Sequence, residues 1–180
     1  MWAWTGVGEP LNFAKCTEIG NMSINQCTQF NNPVLFPNLK TVGFSFMWRF
    51  LVFNHSIFLP KLEVINYSFL NGLDAIGDNL ANSPPVIAIG GKNLLTTANS
   101  SNFLSISVPP TSIRHIKVRF LDVQNITALD TGTTTKAFRF RDTDNLIHNT
   151  VDIELPNGSA AVNVPNRTWA GHTFKSVTLI

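Results

Sequence analysis

Phe36-Pro37-Asn38-Leu39-Lys40-Thr41-Val42-Gly43-Phe44-Ser45 is echoed one stretch later by Leu59-Pro60-Lys61-Leu62-Glu63-Val64-Ile65-Asn66-Tyr67-Ser68. Apolar, Pro, Leu, apolar, aromatic and Ser coincide in the two stretches. Proline ends the incoming segment and cannot donate into a ladder. The run after it then reads as a short strand with alternate side chains turned inward. Such a strand cannot bury its face alone, so copies are expected to stack in parallel over a shared core. Leu39, Val42 and Phe44 are expected beneath Leu62, Ile65 and Tyr67, with Thr41, Gly43, Ser45, Val64, Asn66 and Ser68 facing outward.

Two further copies are read at Ser83-Pro84-Pro85-Val86-Ile87-Ala88-Ile89 and at Val108-Pro109-Pro110-Thr111-Ser112-Ile113-Arg114-His115-Ile116-Lys117-Val118. The core positions Leu39, Leu62, Val86 and Ile113 are then 23, 24 and 27 apart, inside the range of about 20–29 residues for leucine-rich repeats. In "VPPTSIRHI" (108–116) and "FPNLKTV" (36–42) the chain resembles the BspA-type leucine-rich repeats, over about residues 34–125. The resemblance implies a non-catalytic surface or attachment protein.

Beyond residue 126 the period is not continued cleanly. Alternating runs appear at Lys136–Arg141, Thr150–Leu155 and Lys175–Ile180, separated by turns at Pro156-Asn157-Gly158 and Ala170-Gly171-His172. Period-two alternation predicts half-buried strands, and Asn157-Gly158 predicts a tight hairpin turn. The expected fold is therefore mainly β: a short, irregular leucine-rich-repeat-like solenoid with a C-terminal β cap. Its divisions are 1–33 (cap or arm), 34–125 (repeat-like region) and 126–180 (cap or small sheet). A β-sandwich or jelly roll fits the same short strands and Gly/Pro turns and stays open as the alternative.

Composition points the same way. Only 13% of the 180 residues are charged, about half the usual share, and Asn, Ser and Thr fill the gap. That balance favours strands and turns over helices, and it is common in secreted and virion proteins. A net charge of +2 is too small to indicate nucleic acid as a partner. Met1-Trp2-Ala3-Trp4-Thr5-Gly6 lacks the basic and apolar regions of an export signal. The aromatic run Val42–Leu59 is interrupted by Arg49, Asn54 and His55; it is expected to be buried or interfacial and not a membrane span.

The chemical motifs are weak. Ala128-Leu129-Asp130-Thr131-Gly132-Thr133 resembles the aspartic-protease signature, but Asp130 stands late in the chain and Asp-Thr-Gly is an ordinary turn. A protease acting through Asp130 is kept as a remote alternative. Gly90-Gly91-Lys92-Asn93 lacks the Ser or Thr of a phosphate loop. Asp152 and Glu154 read as one polar strand face, and Asp142-Thr143-Asp144-Asn145 as an acidic turn. Cys16 and Cys27 fit either two free thiols or one small loop, and the four histidines lack ligand spacing. Seven N-x-S/T sequons stand among twenty Asn, against about three expected by chance. No cofactor or metal is expected.

Two groups are candidate surfaces. His115, Lys117 and Arg119 would line up on one strand face and suit an acidic glycan or a negatively charged protein. Trp2, Trp4, Phe46 and Trp48 are candidate subunit contacts. The sequence reading is thus a virion surface subunit of decoration or fibre type, with other subunits of an assembly as partners. Its alternative is a secreted or cell-surface adhesion module that binds a cell-surface protein or glycan.

Overall fold

A computed structural model describes residues 9–66, 69–70, 72–73, 75–77, 84–90, 95–96, 115–122, 147–169 and 171–180. They form thirteen strands: β1 (Leu11–Asn12), β2 (Glu18–Ile19), β3 (Val34–Leu35), β4 (Thr41–Val42), β5 (Ile57–Leu59), β6 (Val64–Ile65), β7 (Val86–Ile89), β8 (Leu95–Thr96), β9 (Ile116–Phe120), β10 (Ile147–Leu155), β11 (Val162–Asn163), β12 (Thr168–Trp169) and β13 (His172–Leu179). No helix occurs among the described residues, and so none long and apolar enough to cross a membrane.

Through β9 the chain alternates between two sheets. The nine-stranded sheet runs β1-β3-β5-β7-β9-β10-β13-β12-β11, and the four-stranded sheet β2-β4-β6-β8. Every pairing is parallel except β13–β12 and β12–β11. Parallel neighbours cannot be joined by a tight hairpin, so the chain leaves one sheet, passes through the other and returns a layer further on. This mostly parallel pairing sets aside the antiparallel β-sandwich and jelly roll.

The step between layers is constant at the start: Leu11↔Val34↔Ile57 in one sheet and Glu18↔Thr41↔Val64 in the other. Backbone conformation keeps the same step. The left-handed φ values recur as Met22 (54°) and Ser45 (58°), Gln26 (53°) and Arg49 (57°), and Met47 (51°) and Leu70 (53°). Non-glycine residues seldom adopt this region, so its recurrence marks equivalent turns. Asparagine carboxamides stitch those turns together. The Phe44 N–H donates to Asn21 Oδ1 (3.0 Å), the Asn54 N–H to Asn31 Oδ1 (2.8 Å) and the Gly77 N–H to Asn54 Oδ1 (2.9 Å).

Inside, side chains stack by layer. Val42 pairs with Ile65, as the repeat predicts, and Leu39 and Leu62 are buried in the same core. The interior of the larger sheet is a row of Val34, Ile57, Ile87, Val118, Ile153 and Val177, each buried and in register with the next. Phenylalanines fill the interior of the early layers. Phe46 stacks on Phe69 (centroids 5.6 Å) and meets Phe36 edge-on (5.5 Å), while Phe30 stacks on Phe53 (6.3 Å). The aromatic run 42–59 thus supplies core residues Phe46, Met47, Phe50, Phe53, Ile57 and Leu59.

Several expectations are corrected. Phe44 is half-buried and Ser45, expected outside, is 9% exposed. The strand ends at Val42, and the left-handed turn at Ser45 reverses the in-out order so that Phe46 enters the core. The third and fourth copies are displaced: Ile87 pairs with Ile57 and Val118 with Ile87, so Val86 does not lie above Leu62. Prolines follow β3 and β5 but precede β7, and an alignment anchored on proline joins unlike positions. The strands at 147–155 and 172–179 exist, but they extend the nine-stranded sheet and do not form a sheet of their own. Asn157-Gly158 makes no hairpin, because both neighbours of β10 are parallel. It is a turn closed by the Ser159 N–H to the Pro156 carbonyl (3.1 Å), with Gly158 at φ 87°. The run 136–141 and the copy's start at 108–114 lie outside the described residues.

At Gly43 two layers approach closely. A Cβ there would stand 2.4 Å from Asn21 Oδ1, 2.5 Å from the Asn21 nitrogen and 2.6 Å from the Gly20 carbonyl carbon. At Gly20 the nearest atom is the Ser23 hydroxyl, 3.5 Å away. Gly43→Ala is expected to lower stability in urea unfolding by roughly 1–3 kcal/mol, the range for forced overpacking. Gly20→Ala is expected to change it by less than about 0.5 kcal/mol. Equal effects from the two would contradict the close layer contact.

Candidate recognition surface

Alternation along β9 turns Ile116, Val118 and Phe120 inward and leaves Lys117 and Arg119 on the outer face of the large sheet. Parallel pairing then sets Asp152 beside Lys117 and Glu154 beside Arg119, and on the far side Ser176 beside Asp152 and Thr178 beside Glu154. Lys117 Nζ lies 2.7 Å from Glu154 Oε1, and Arg119 Nε donates to the other oxygen of the same carboxylate. Ser176 Oγ donates to Asp152 Oδ1 (2.5 Å), and Lys175 Nζ lies 3.4 Å from Asp152 Oδ2. Glu154 with Lys117 and Arg119, and Asp152 with Lys175 and Ser176, thus make two neighbouring polar clusters across β9, β10 and β13.

The Glu154 side chain is only 11% exposed. Burial works against its charge, but hydrogen bonds from Arg119 and Lys117 and their positive charges outweigh it, so the carboxyl is held below its ordinary value. Glu154 in turn strengthens the hold of Arg119 on its proton, against a smaller opposing effect of burial. A general acid needs the opposite arrangement, a carboxyl raised towards neutrality. The chemistry offered here is fixed charge and hydrogen bonding.

The same register row runs through the buried Ala88 to two exposed apolar residues. Asn12, Leu35, Phe58, Ala88, Arg119, Glu154 and Thr178 are successive register partners. Leu35 is 43% and Phe58 47% exposed, side by side. Sequence reasoning misses these two. Their signal is present in Val34-Leu35-Phe36 and Ile57-Phe58-Leu59, which repeat at the same step directly before each proline.

Of the expected binding residues, Lys117 and Arg119 share this face and both engage Glu154. His115 precedes β9, half-buried, and its Nδ1 is enclosed with no hydrogen-bond partner. Among the expected subunit contacts Phe46 is a correction: at 1% exposure it is core, held between Phe36 and Phe69. Trp48 is half-buried, its ring covered by the Arg49 guanidinium at 5.6 Å, a cation–π contact. Trp2 and Trp4 lie outside the described residues, as do Asp130, Asp142, Asp144 and Lys92.

At the first layer a cavity of about 210 Å³ is lined by Leu11, Phe13, Ile24, Cys27, Phe30 and Val34, among others. Cys16 and Cys27 are free thiols. Among the described residues no group of three or more His, Cys, Asp or Glu could hold a metal ion. No family model matches the sequence, and neither a curated protein nor a solved structure matches it.

Removing one charge tests the Glu154 cluster. Glu154→Gln leaves Lys117 and Arg119 without their shared counter-charge, and a loss of about 1–2 kcal/mol at pH 7 is expected. Because the folded carboxyl is held below its ordinary value, its contribution is complete above about pH 4.5 and is lost as pH falls further. The gap between wild type and variant in urea unfolding should therefore close towards pH 3. A gap of the same size at both pH values would count against the assignment.

Proposed function

We propose that this chain is a non-catalytic structural and recognition protein, a short, irregular leucine-rich-repeat-like β-solenoid that serves as a virion surface subunit of decoration or fibre type. The observation that carries this reading is the in-register outer row, with Leu35 and Phe58 exposed at one end and the Arg119–Glu154 pair at the other. Stacked repeats give extended surfaces on which side chains are spaced by the ladder and not by loops. Large apolar side chains exposed next to each other, beside a polar field, suit contact with another protein. The low charge and the Asn/Thr-rich, strand-favouring composition fit a subunit whose partners are its neighbours in an assembly.

The second reading, a secreted or cell-surface adhesion module of the BspA type, draws on the constant step of the first layers. Light scattering across a range of concentrations separates the two. A defined trimer, pentamer or larger assembly is expected, and Leu35→Ser with Phe58→Ser should shift it towards monomer by at least about tenfold in dissociation constant, roughly 1.4 kcal/mol. A monomer at every concentration would overturn the assembly reading. Glycan or cell-surface binding lost in Lys117→Ala and Arg119→Ala would then point to the adhesion module.

A further inference from the structure

The two buried imidazoles in the C-terminal strands have no part in the outer surface. His148 of β10 and His172 of β13 are each 7% exposed, and His148 Nε2 lies 2.9 Å from His172 Nδ1. Their rings are near-parallel at 19° with centroids 5.2 Å apart, and Phe174 packs on both, at 5.2 Å and 6.3 Å. The pair stands at the start of the β10–β13 ladder, where Ile147 and His148 pair with Thr173 and Phe174 before the register slips ahead of Asp152. A side-chain bond therefore joins the strands next to the irregular part of their ladder.

We propose that the His148–His172 pair is an acid-sensitive latch that holds β13, and through it β12 and β11, against β10. A ring-to-ring hydrogen bond needs one proton on the line between the nitrogens: one ring donates and the other offers a bare lone pair. Above the range where imidazoles ordinarily protonate, about pH 6.5, that requirement is met. One added proton can be shared by the pair. A second places N–H against N–H, removes the bond, and sets two like charges side by side in a buried, aromatic setting. The unfolded chain takes up both protons freely, so it binds more protons than the latched state. Stability of these strands is then complete above about pH 6.5 and falls as pH drops below it.

Among the described residues, the other titratable groups on the packed elements are accounted for. On β10, Asp152 is engaged by Lys175 and Ser176, and Glu154 by Lys117 and Arg119. On β13 the titratable group besides His172 is Lys175, already paired with Asp152. β12 contributes Thr168 and Trp169, neither of which titrates, and the turn before it contributes Arg167, whose Nη1 reaches the Lys175 carbonyl at 3.5 Å. Beside β10 on the other side are His115, Lys117 and Arg119. His115 and His55 are the two remaining imidazoles of the chain and serve as controls.

Hydrogen exchange read by peptide, corrected for intrinsic rates, tests the latch on the full chain. Between pH 7.5 and pH 5, protection of residues 172–179 should fall about tenfold, the scale of one lost hydrogen bond, while residues 34–65 keep theirs. His148→Gln with His172→Gln, which can still bond side chain to side chain but cannot titrate, should abolish the difference. His55→Gln and His115→Gln should preserve it. A pH-dependent loss that persists in the double variant, or spreads equally over residues 34–65, overturns the latch. Should the double variant not fold, imidazole nitrogen shifts of the wild type decide. Loss of the His148–His172 coupling between pH 7.5 and 5 supports the latch, and a coupling unchanged to pH 5 overturns it.

Discussion

Two parallel sheets can share one interior on a single chain only if every return to a sheet meets the previous strand in hydrogen-bond register. Near the start that condition is met by a constant step along the chain, and local features follow from it. Phenylalanines stack inside from one layer to the next, and a side chain is absent where Gly43 meets Asn21 and Gly20. Each turn must also satisfy donors that no strand pairs, and Asn21, Asn31 and Asn54 do this by accepting a backbone N–H one layer on. Those bonds explain part of the high asparagine content as structural.

The step is legible because the first two copies carry it in the identities of their core residues: Leu39 and Leu62, Val42 and Ile65. The later layers are not, because the spacing lengthens. Ile57 finds its partner in Ile87, and Ile87 in Val118, both further along the chain than the step from Val34 to Ile57. A linear alignment keeps spacing constant and takes its phase from proline, whereas hydrogen bonding keeps only the register of the strands and lets the connections grow, at low entropic cost. The same blindness places Phe44 inside. Alternation assumes an unbroken strand, and the left-handed turn at Ser45 ends that assumption soon after Val42.

The outer surface shows a different limit. Lys117 and Arg119 are legible as a basic strand face, since alternation along β9 is regular. Their counter-charge is not, for Glu154 is 35 residues away from Arg119 in sequence and beside it in space. Asp152 and Glu154 read correctly as one polar face of a strand, yet sequence offers no means of telling which neighbour a parallel strand will choose. Pairing β10 with β9 brings the basic face of β9 onto the Glu154 carboxylate. Its apolar continuation through Ala88 to Phe58 and Leu35 is hidden for the reverse reason: exposed Leu and Phe read as core until the ladder decides which way they point.

The two ends of the large sheet also differ. At the C-terminal end β13 turns back into β12 and β11, so the parallel order gives way to an antiparallel edge of two short strands. Short edge strands resist the addition of further strands. At the other end β1 is the terminal strand of the sheet, and the first-layer side chains Leu11, Phe13 and Ile24 are only partly buried around the cavity, while Val34, Phe36 and Met47, one step later, are fully buried. Both edge strands, β1 and β11, are two residues long, and the antiparallel edge is held to β10 through β13, whose contact includes a buried imidazole pair.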